Sequence, residues 1–255
     1  MPIILTCRGQ APAPNRRLGA ADIGHRARTA LSDPGGTLGG MTRIALFHSV
    51  LGVRRGVIDA ADILRSAGHD VLVVDQYSTG SGSRRFDDYD EANRFAADLG
   101  FPQALMASAL AAIADEPGPL VAAGFSNGAG MAEYVTAARG GRAGGVVGSV
   151  QFAGALPLTM MGLSAWPADT PAQLHYATGD PMRSDDWIRP FVESVEASGS
   201  RCETFLDYSG GHLFTDRSLP GEFDEAAADL AFERALDFLA RIDQRSGGGR
   251  AGGGR

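Results

Sequence analysis

The sequence predicts an α/β domain, a mostly parallel sheet of about six strands with helices on both faces. Three observations predict it. Short apolar runs recur along the chain, nearly every interval between them carries a helix-like segment, and the pattern is confined to residues 41–244, with neither end sharing it.

The first run, Ile44 to Val50, is followed by a helical segment from Val57 to Ser66, and Gly68 then breaks the chain before a second run, Val71 to Asp75. Asp90 to Ala114 reads as helix, interrupted at Gly100 and Pro102, which remove side-chain packing and a backbone donor respectively. Leu120 to Gly124 is a third run, and Asn127 to Ala138 a helix directly after it. Val146 to Phe152 and Gln173 to Thr178 are the fourth and fifth runs, and the link between them carries no helical candidate. Asp185 to Ala197 is helical, Cys202 to Asp207 is the sixth run, and Glu222 to Arg241 closes the pattern with Phe232, Leu236 and Leu239 at spacings of four and three, on one helix face. Strands alternating with helices require right-handed crossovers, and such sheets bind ligands at the carboxyl ends of their strands.

The ends are of another kind. Residues 1–40 contain Ala11-Pro12-Ala13-Pro14, scattered Arg and a glycine-rich run, with no apolar period to offset the entropy of ordering; they read as a disordered leader, or as a mis-assigned start ahead of a working Met41. Residues 245–255, rich in Gly and Arg, read as a flexible tail.

Composition removes several classes of function. All 23 basic residues are Arg, which excludes Schiff-base lysines, the phosphate-binding lysine of a P-loop and Ser-Lys dyads. Two cysteines, Cys7 and Cys202, cannot supply a disulfide framework or a thiolate cage, and Cys202 reads as an inert buried thiol. No His, Asp or Glu cluster has ligand spacing, so neither metal nor organic cofactor is expected. Residues 41–244 carry 15 Arg against 28 acidic residues, a net −13, which argues against nucleic acid as a partner. No run reaches the ~18–20 apolar residues of a membrane span, and the start supplies no signal-peptide apolar region, so a cytoplasmic protein is expected, monomeric or homodimeric.

Gly124-Phe125-Ser126-Asn127-Gly128 carries the chemistry. This G-x-S-x-G pattern is weak alone but sits where it must, between a buried strand run and a helix start, at the strained turn that lifts a serine hydroxyl into the open. A serine hydroxyl needs a base, and the base an orienting acid. Among the histidines, His25 is in the leader, His69 precedes a strand, His175 lies mid-strand as a core residue, and His48 could line a site but precedes Ser126. His212, in a Gly-rich loop after the sixth run, is the candidate base. The order Ser, acid, His points to Asp180 just past the fifth run; Asp185 and Asp186 stay open as alternatives, although they look like the first turn of a helix. For an oxyanion hole, the candidate donors are the backbone N–H groups of Asn127 and of Val50 in the loop after the first strand. Tyr77, Phe86, Met160, Trp166, Trp187 and Phe214 follow strands and are candidates for the wall of an apolar cleft, with Tyr77, Trp187 and Phe214 expected to bind substrate.

With these residues placed, 42–242 resembles the dienelactone hydrolase family of α/β-hydrolases. The resemblance rests on His48-Ser49-Val50-Leu51-Gly52, Asp75-Gln76-Tyr77, the Ser126 motif, Gly179-Asp180-Pro181 and Gly210-Gly211-His212-Leu213-Phe214, with 54 residues from Ser126 to Asp180 and 32 from there to His212. It implies a Ser126, Asp180, His212 triad with the oxyanion donors above. Members that act on dienelactone typically have Cys as nucleophile and Glu after the first strand, where this chain has Ser126 and Ser49. Two substrate-binding arginines of those members fall on Thr79 and Asp216, with Arg217 one residue out of step. The implied activity is hydrolysis of a small carboxylic ester, thioester or lactone. An acyl transferase using the same triad and a catalytically silent binding protein on this scaffold are the alternatives.

Overall fold

The computed structural model describes residues 41–78, 82–141 and 145–248; the expected leader, Thr79 and the end of the tail lie outside them. Six strands form one sheet: β1 (Arg43–Phe47), β2 (Val71–Val74), β3 (Leu120–Phe125), β4 (Val146–Phe152), β5 (Ala172–Ala177) and β6 (Cys202–Tyr208). All pairings are parallel, in the order β2-β1-β3-β4-β5-β6. Among the described residues six α-helices complete the fold: α1 (Arg55–Ser66), α2 (Tyr89–Asp98), α3 (Gln103–Ala112), α4 (Asn127–Arg139), α5 (Asp185–Ala197) and α6 (Glu225–Gly248). The link between β4 and β5 has only a 3-10 turn, Leu158–Met161.

Every residue of β3 and β5 is buried, as covering of both sheet faces demands. Leu64 of α1 and Phe232, Ala235 and Leu239 of α6 converge on Ile44, Leu46, Phe125 and Phe152, so these two helices share one face of the sheet. Right-handed crossovers place α3, α4 and α5 on the other. Among the described residues no single helix is long and apolar enough to cross a membrane. Cys202 is half-buried and unpaired in β6, where burial pushes its thiol up to about 12.

Three boundaries differ from expectation by three residues or more. The first strand ends at Phe47, because Gly52 (φ +84) turns the chain back and donates its N–H to the Ser49 carbonyl at 3.0 Å, which takes His48, Ser49 and Val50 out of the sheet. The last helix starts at Glu225, since the Asp224 side chain accepts the Ala227 N–H at 2.9 Å and caps it there, leaving Glu222 in the preceding turn. It also runs to Gly248, past the expected boundary at 245, because each added residue brings its own hydrogen bond once a helix is established.

Candidate active site

Ser126 joins β3 to α4 with φ 53° and ψ −117°, a conformation that L-residues rarely adopt and that persists only where the surroundings enforce it. Those surroundings are close backbone contacts. A Cβ on Gly128 would lie 2.3 Å from the His48 carbonyl oxygen, one on Gly124 2.2 Å from the Gly128 carbonyl oxygen, and one on Gly154 2.4 Å from the Ser126 carbonyl oxygen. The motif's glycines therefore let α4 sit directly on the end of β1. Gly154, past β4, is a third such position, and the local motif gave no sign of it. The Ser126 N–H donates to the Phe152 carbonyl at 2.7 Å, anchoring the turn to β4.

His212 lies in the loop after β6, and its Nε2 is 2.6 Å from Ser126 Oγ. Its Nδ1 is 2.9 Å from both carboxylate oxygens of Asp180, in the turn after β5. Asp180 and His212 are buried, at 6% and 4% exposure, whereas Ser126 is partly open. Asp180 is held by the Met182 N–H, 2.8 Å from its Oδ1. Asp185 and Asp186 point away: their side chains are 81% and 89% exposed and pair with Arg183 and Arg189. Asp180 is thus the carboxylate that meets the imidazole.

The Asn127 amide opens α4, and helix geometry leaves it no intrahelical acceptor. Val50 lies in the loop that follows β1, two residues after His48, whose carbonyl oxygen closely approaches Gly128 in the first turn of that helix. Neither amide donates to a backbone carbonyl among the described residues. His48 fixes the loop. It is fully buried, its Nδ1 lies 2.7 Å from the Ser49 carbonyl oxygen, and its Nε2 accepts the Gln76 N–H at 3.1 Å. Burial lowers its pKa, against the opposing pull of the Ser49 carbonyl and Asp75, so the ring is a neutral strut between the loops after β1 and β2. His175 is likewise core, with Tyr208 and Gln173 on its two nitrogens, and burial carries its pKa down to about 3.

Four of the residues expected to wall an apolar cleft, Tyr77, Phe86, Trp166 and Phe214, are core residues. Tyr77 is 1% exposed and packed edge-on against His48, at 4.6 Å between ring centroids, and against Phe95, at 5.2 Å; its hydroxyl is enclosed without a partner. Phe214 is also 1% exposed, stacked on Tyr208 at 5.0 Å, so it braces the His212 loop from within. Trp187 is half-buried on the first turn of α5, Trp166 packs on Phe191 in the core, Phe86 is buried, and Met160 is exposed. The cleft beside Asp180, about 340 Å³, is lined by Thr178, Asp180, Arg183, Asp185 and Asp186 and is polar. Position after a strand sets which end of the sheet a residue occupies, and neighbouring loops then decide whether its side chain faces solvent or core.

Asp216, where a substrate-binding arginine was sought, is buried, accepts from the Ser218 N–H (2.9 Å) and Oγ (2.6 Å), and lies 3.7 Å from Arg54 Nε. Arg54 also binds the Phe86 carbonyl and Asp87, so this unanticipated residue ties together the segments around 54, 86 and 218. Arg217 turns outward to Asp59, 3.7 Å away. Among the described residues no group of three or more His, Cys, Asp or Glu is placed to hold a metal ion.

Glu133 of α4 is fully buried, and its Oε2 accepts the Leu156 N–H at 3.0 Å in the loop that carries Gly154. Burial raises its pKa well above the ordinary carboxylate value, with the Leu156 bond opposing. The folded state thus binds this proton more tightly than the unfolded state, and stability from this group is lost as pH rises from the unfolded value toward the raised one. Glu133→Gln is expected to leave Tm nearly unchanged near pH 4 and to raise it at pH 8, by ~2–4 °C for each kcal/mol recovered. Equal shifts at the two pH values in thermal melts would show that the carboxyl is ionised in the fold.

The family model described as the dienelactone hydrolase family matches residues 36–243. No curated protein matches the chain. A dienelactone hydrolase-like promiscuous phosphotriesterase from metagenomic libraries shares the fold at a TM-score of 0.65 and 16% identity, over 80% of this chain and 87% of that one. Thermogutta terrifontis esterase 2 phosphonylated by sarin gives 0.54 at 17% identity, over 84% and 88%. A Bacillus cereus carboxylesterase gives 0.50 at 17% identity, over 79% and 89%.

Proposed function

The chain is a hydrolase of the dienelactone hydrolase family, and from that premise we propose that it cleaves small carboxylic esters, thioesters or lactones through a Ser126, His212, Asp180 triad. The observation that carries this reading is the unbroken relay of hydrogen bonds, 2.6 Å from Ser126 Oγ to His212 Nε2 and 2.9 Å from His212 Nδ1 to Asp180. Asp180 accepts the Nδ1–H, which leaves the Nε2 lone pair to accept the Ser126 proton. Ser126 Oγ attacks the acyl carbon as that proton moves to His212. The negative charge forming on the carbonyl oxygen is met by the Asn127 and Val50 N–H groups. Collapse expels the alcohol or thiol, protonated by the imidazolium, and leaves an acyl-Ser126. Water, deprotonated by His212, then releases the acid.

The test is labelling with a fluorophosphonate probe, the chemistry recorded for the phosphonylated Thermogutta esterase. Wild type is expected to gain one adduct on the peptide containing Ser126, and Ser126→Ala none. An adduct on another residue, retained in Ser126→Ala, would overturn the assignment.

Substrate charge is a second expectation. Residues 41–244 are net −13. Three arginines are engaged with other groups: Arg54 with Asp87 and Asp216, Arg183 with Asp185 and the Leu206 carbonyl, and Arg217 with Asp59. None of these three is free to form a bidentate clamp on an anionic acyl group. Short neutral esters should show kcat/KM ~10-fold or more above matched substrates bearing a free carboxylate, which corresponds to ~1.4 kcal/mol. Equal turnover of the charged member would count against this preference.

A further inference from the structure

The backbone on both sides of His212 is gripped by a single residue. The Gly211 N–H donates to the Glu222 carbonyl at 2.8 Å, and the Leu213 N–H donates to Glu222 Oε2 at 2.6 Å. The fit leaves no slack, since a Cβ on Gly211 would lie 3.0 Å from the Glu222 side chain. The same carboxylate accepts the Tyr89 hydroxyl, at 3.0 Å to Oε1 and 3.2 Å to Oε2, and the Tyr89 ring stands edge-on to the His212 ring with centroids 6.2 Å apart. Tyr89 is itself fixed as the first residue of α2, whose N-cap Asp88 accepts the Glu91 N–H at 2.8 Å. Burial, and then the Glu222 carboxylate, push the Tyr89 pKa up, so its hydroxyl stays protonated and donates. Asp180 orients the imidazole ring, but nothing in that bond fixes the loop that bears it.

We propose that Glu222, held in place by Tyr89, is the positioning residue that sets His212 Nε2 against Ser126 Oγ and ties the start of α2 to the base loop. The proposal rests on the reading of Ser126 and His212 as nucleophile and base. A displacement of that loop by a fraction of an ångström lengthens the proton-transfer distance without changing how substrate binds, so the cost falls on kcat.

The experiment compares wild type, Tyr89→Phe, Glu222→Gln, Glu222→Ala and the double variant Tyr89→Phe/Glu222→Ala for kcat and KM on a short neutral ester, and for the rate of fluorophosphonate labelling. Glu222→Ala is expected to lower kcat ~10- to 100-fold with KM little changed. Glu222→Gln should recover most of that loss, because its amide oxygen accepts the Leu213 N–H while its NH2 group donates to the Tyr89 oxygen. Tyr89→Phe should cost ~3- to 10-fold in the wild-type background and nothing further in Glu222→Ala, since the hydroxyl acts only through that carboxylate. Multiplicative losses in the double variant, or kcat of Tyr89→Phe equal to wild type, would overturn the proposal. Should Glu222→Ala fail to fold, Tyr89→Phe and Glu222→Gln decide the matter by the same criteria. Wild type that neither labels nor turns over esters removes the serine mechanism and the latch with it. Wild type and variants that label and turn over at one rate remove the latch alone.

Discussion

Asp180→Asn is expected to lower kcat by ~10³- to 10⁴-fold while the protein stays folded, and Ser126→Ala and His212→Ala by ~10³-fold or more. The asparagine case follows from tautomer choice. Asp180 accepts at both oxygens and so compels His212 to carry its proton on Nδ1. An amide NH2 facing that nitrogen makes it the acceptor, moves the proton to Nε2, and leaves Ser126 facing a donor in place of a base. The three residues act as one unit, so Ser126→Ala/His212→Ala should be no slower than either single variant. The measurement is kcat on a short neutral ester with circular dichroism as the fold control. Near-normal turnover in Ser126→Ala with an intact fold would remove Ser126 as nucleophile.

Gly128→Ala is expected to be among the most damaging single-methyl changes in the protein. The added carbon would meet the carbonyl oxygens of both His48 and Phe47, at 2.3 and 2.4 Å, and main-chain atoms have no rotamer to escape into. Either α4 lifts off β1 or β1 distorts, at a cost of ~3 kcal/mol or more and a fall in Tm of ~6–12 °C. Activity should fall further than stability, because the same movement displaces Asn127 and Ser126. Gly130→Ala, two residues along the same helix, is the control. Its nearest neighbour is Leu156 Cδ1 at 3.3 Å, the flexible tip of a side chain, and Ala gains ~1 kcal/mol over Gly in a helix interior, so Tm should move by no more than ~4 °C. Similar melting temperatures for Gly128→Ala and wild type would show that the helix and strand are not seated as described.

Strand and helix order was legible in the sequence because each element carries its own signal: short runs of β-branched and aliphatic residues, breaks at Gly and Pro, and Phe232, Leu236 and Leu239 on one face of the last helix. Boundaries were less so. Val50 continues the apolar character of β1, and only the turn at Gly52 takes it out of the sheet. Ser126, Asp180 and His212 could be singled out since chain order and strand-end position narrow the choice, and those three side chains are in hydrogen-bond contact in the fold. The Glu222 contacts were not legible. Tyr89 and Glu222 are 133 positions apart, neither belongs to a recognisable motif, and their meeting depends on how two long loops lie over the sheet. Arg54 escaped notice for the same reason, and the apolar cleft was over-read because Tyr77 and Phe214 follow strands yet turn inward.

From β3 the sheet extends through β4, β5 and β6 in chain order, so the three candidate triad residues emerge one after another during synthesis. The nascent chain completes the Ser126 turn early, tens of residues before Asp180 and longer still before His212. On the proposed mechanism, until the His212 loop beyond the sixth strand docks, the emerging polypeptide carries a hydroxyl without its base, no more reactive toward an ester than any other serine. On the proposed mechanism, hydrolytic competence is therefore withheld from any product truncated before His212 and the Glu222 contacts that hold its loop.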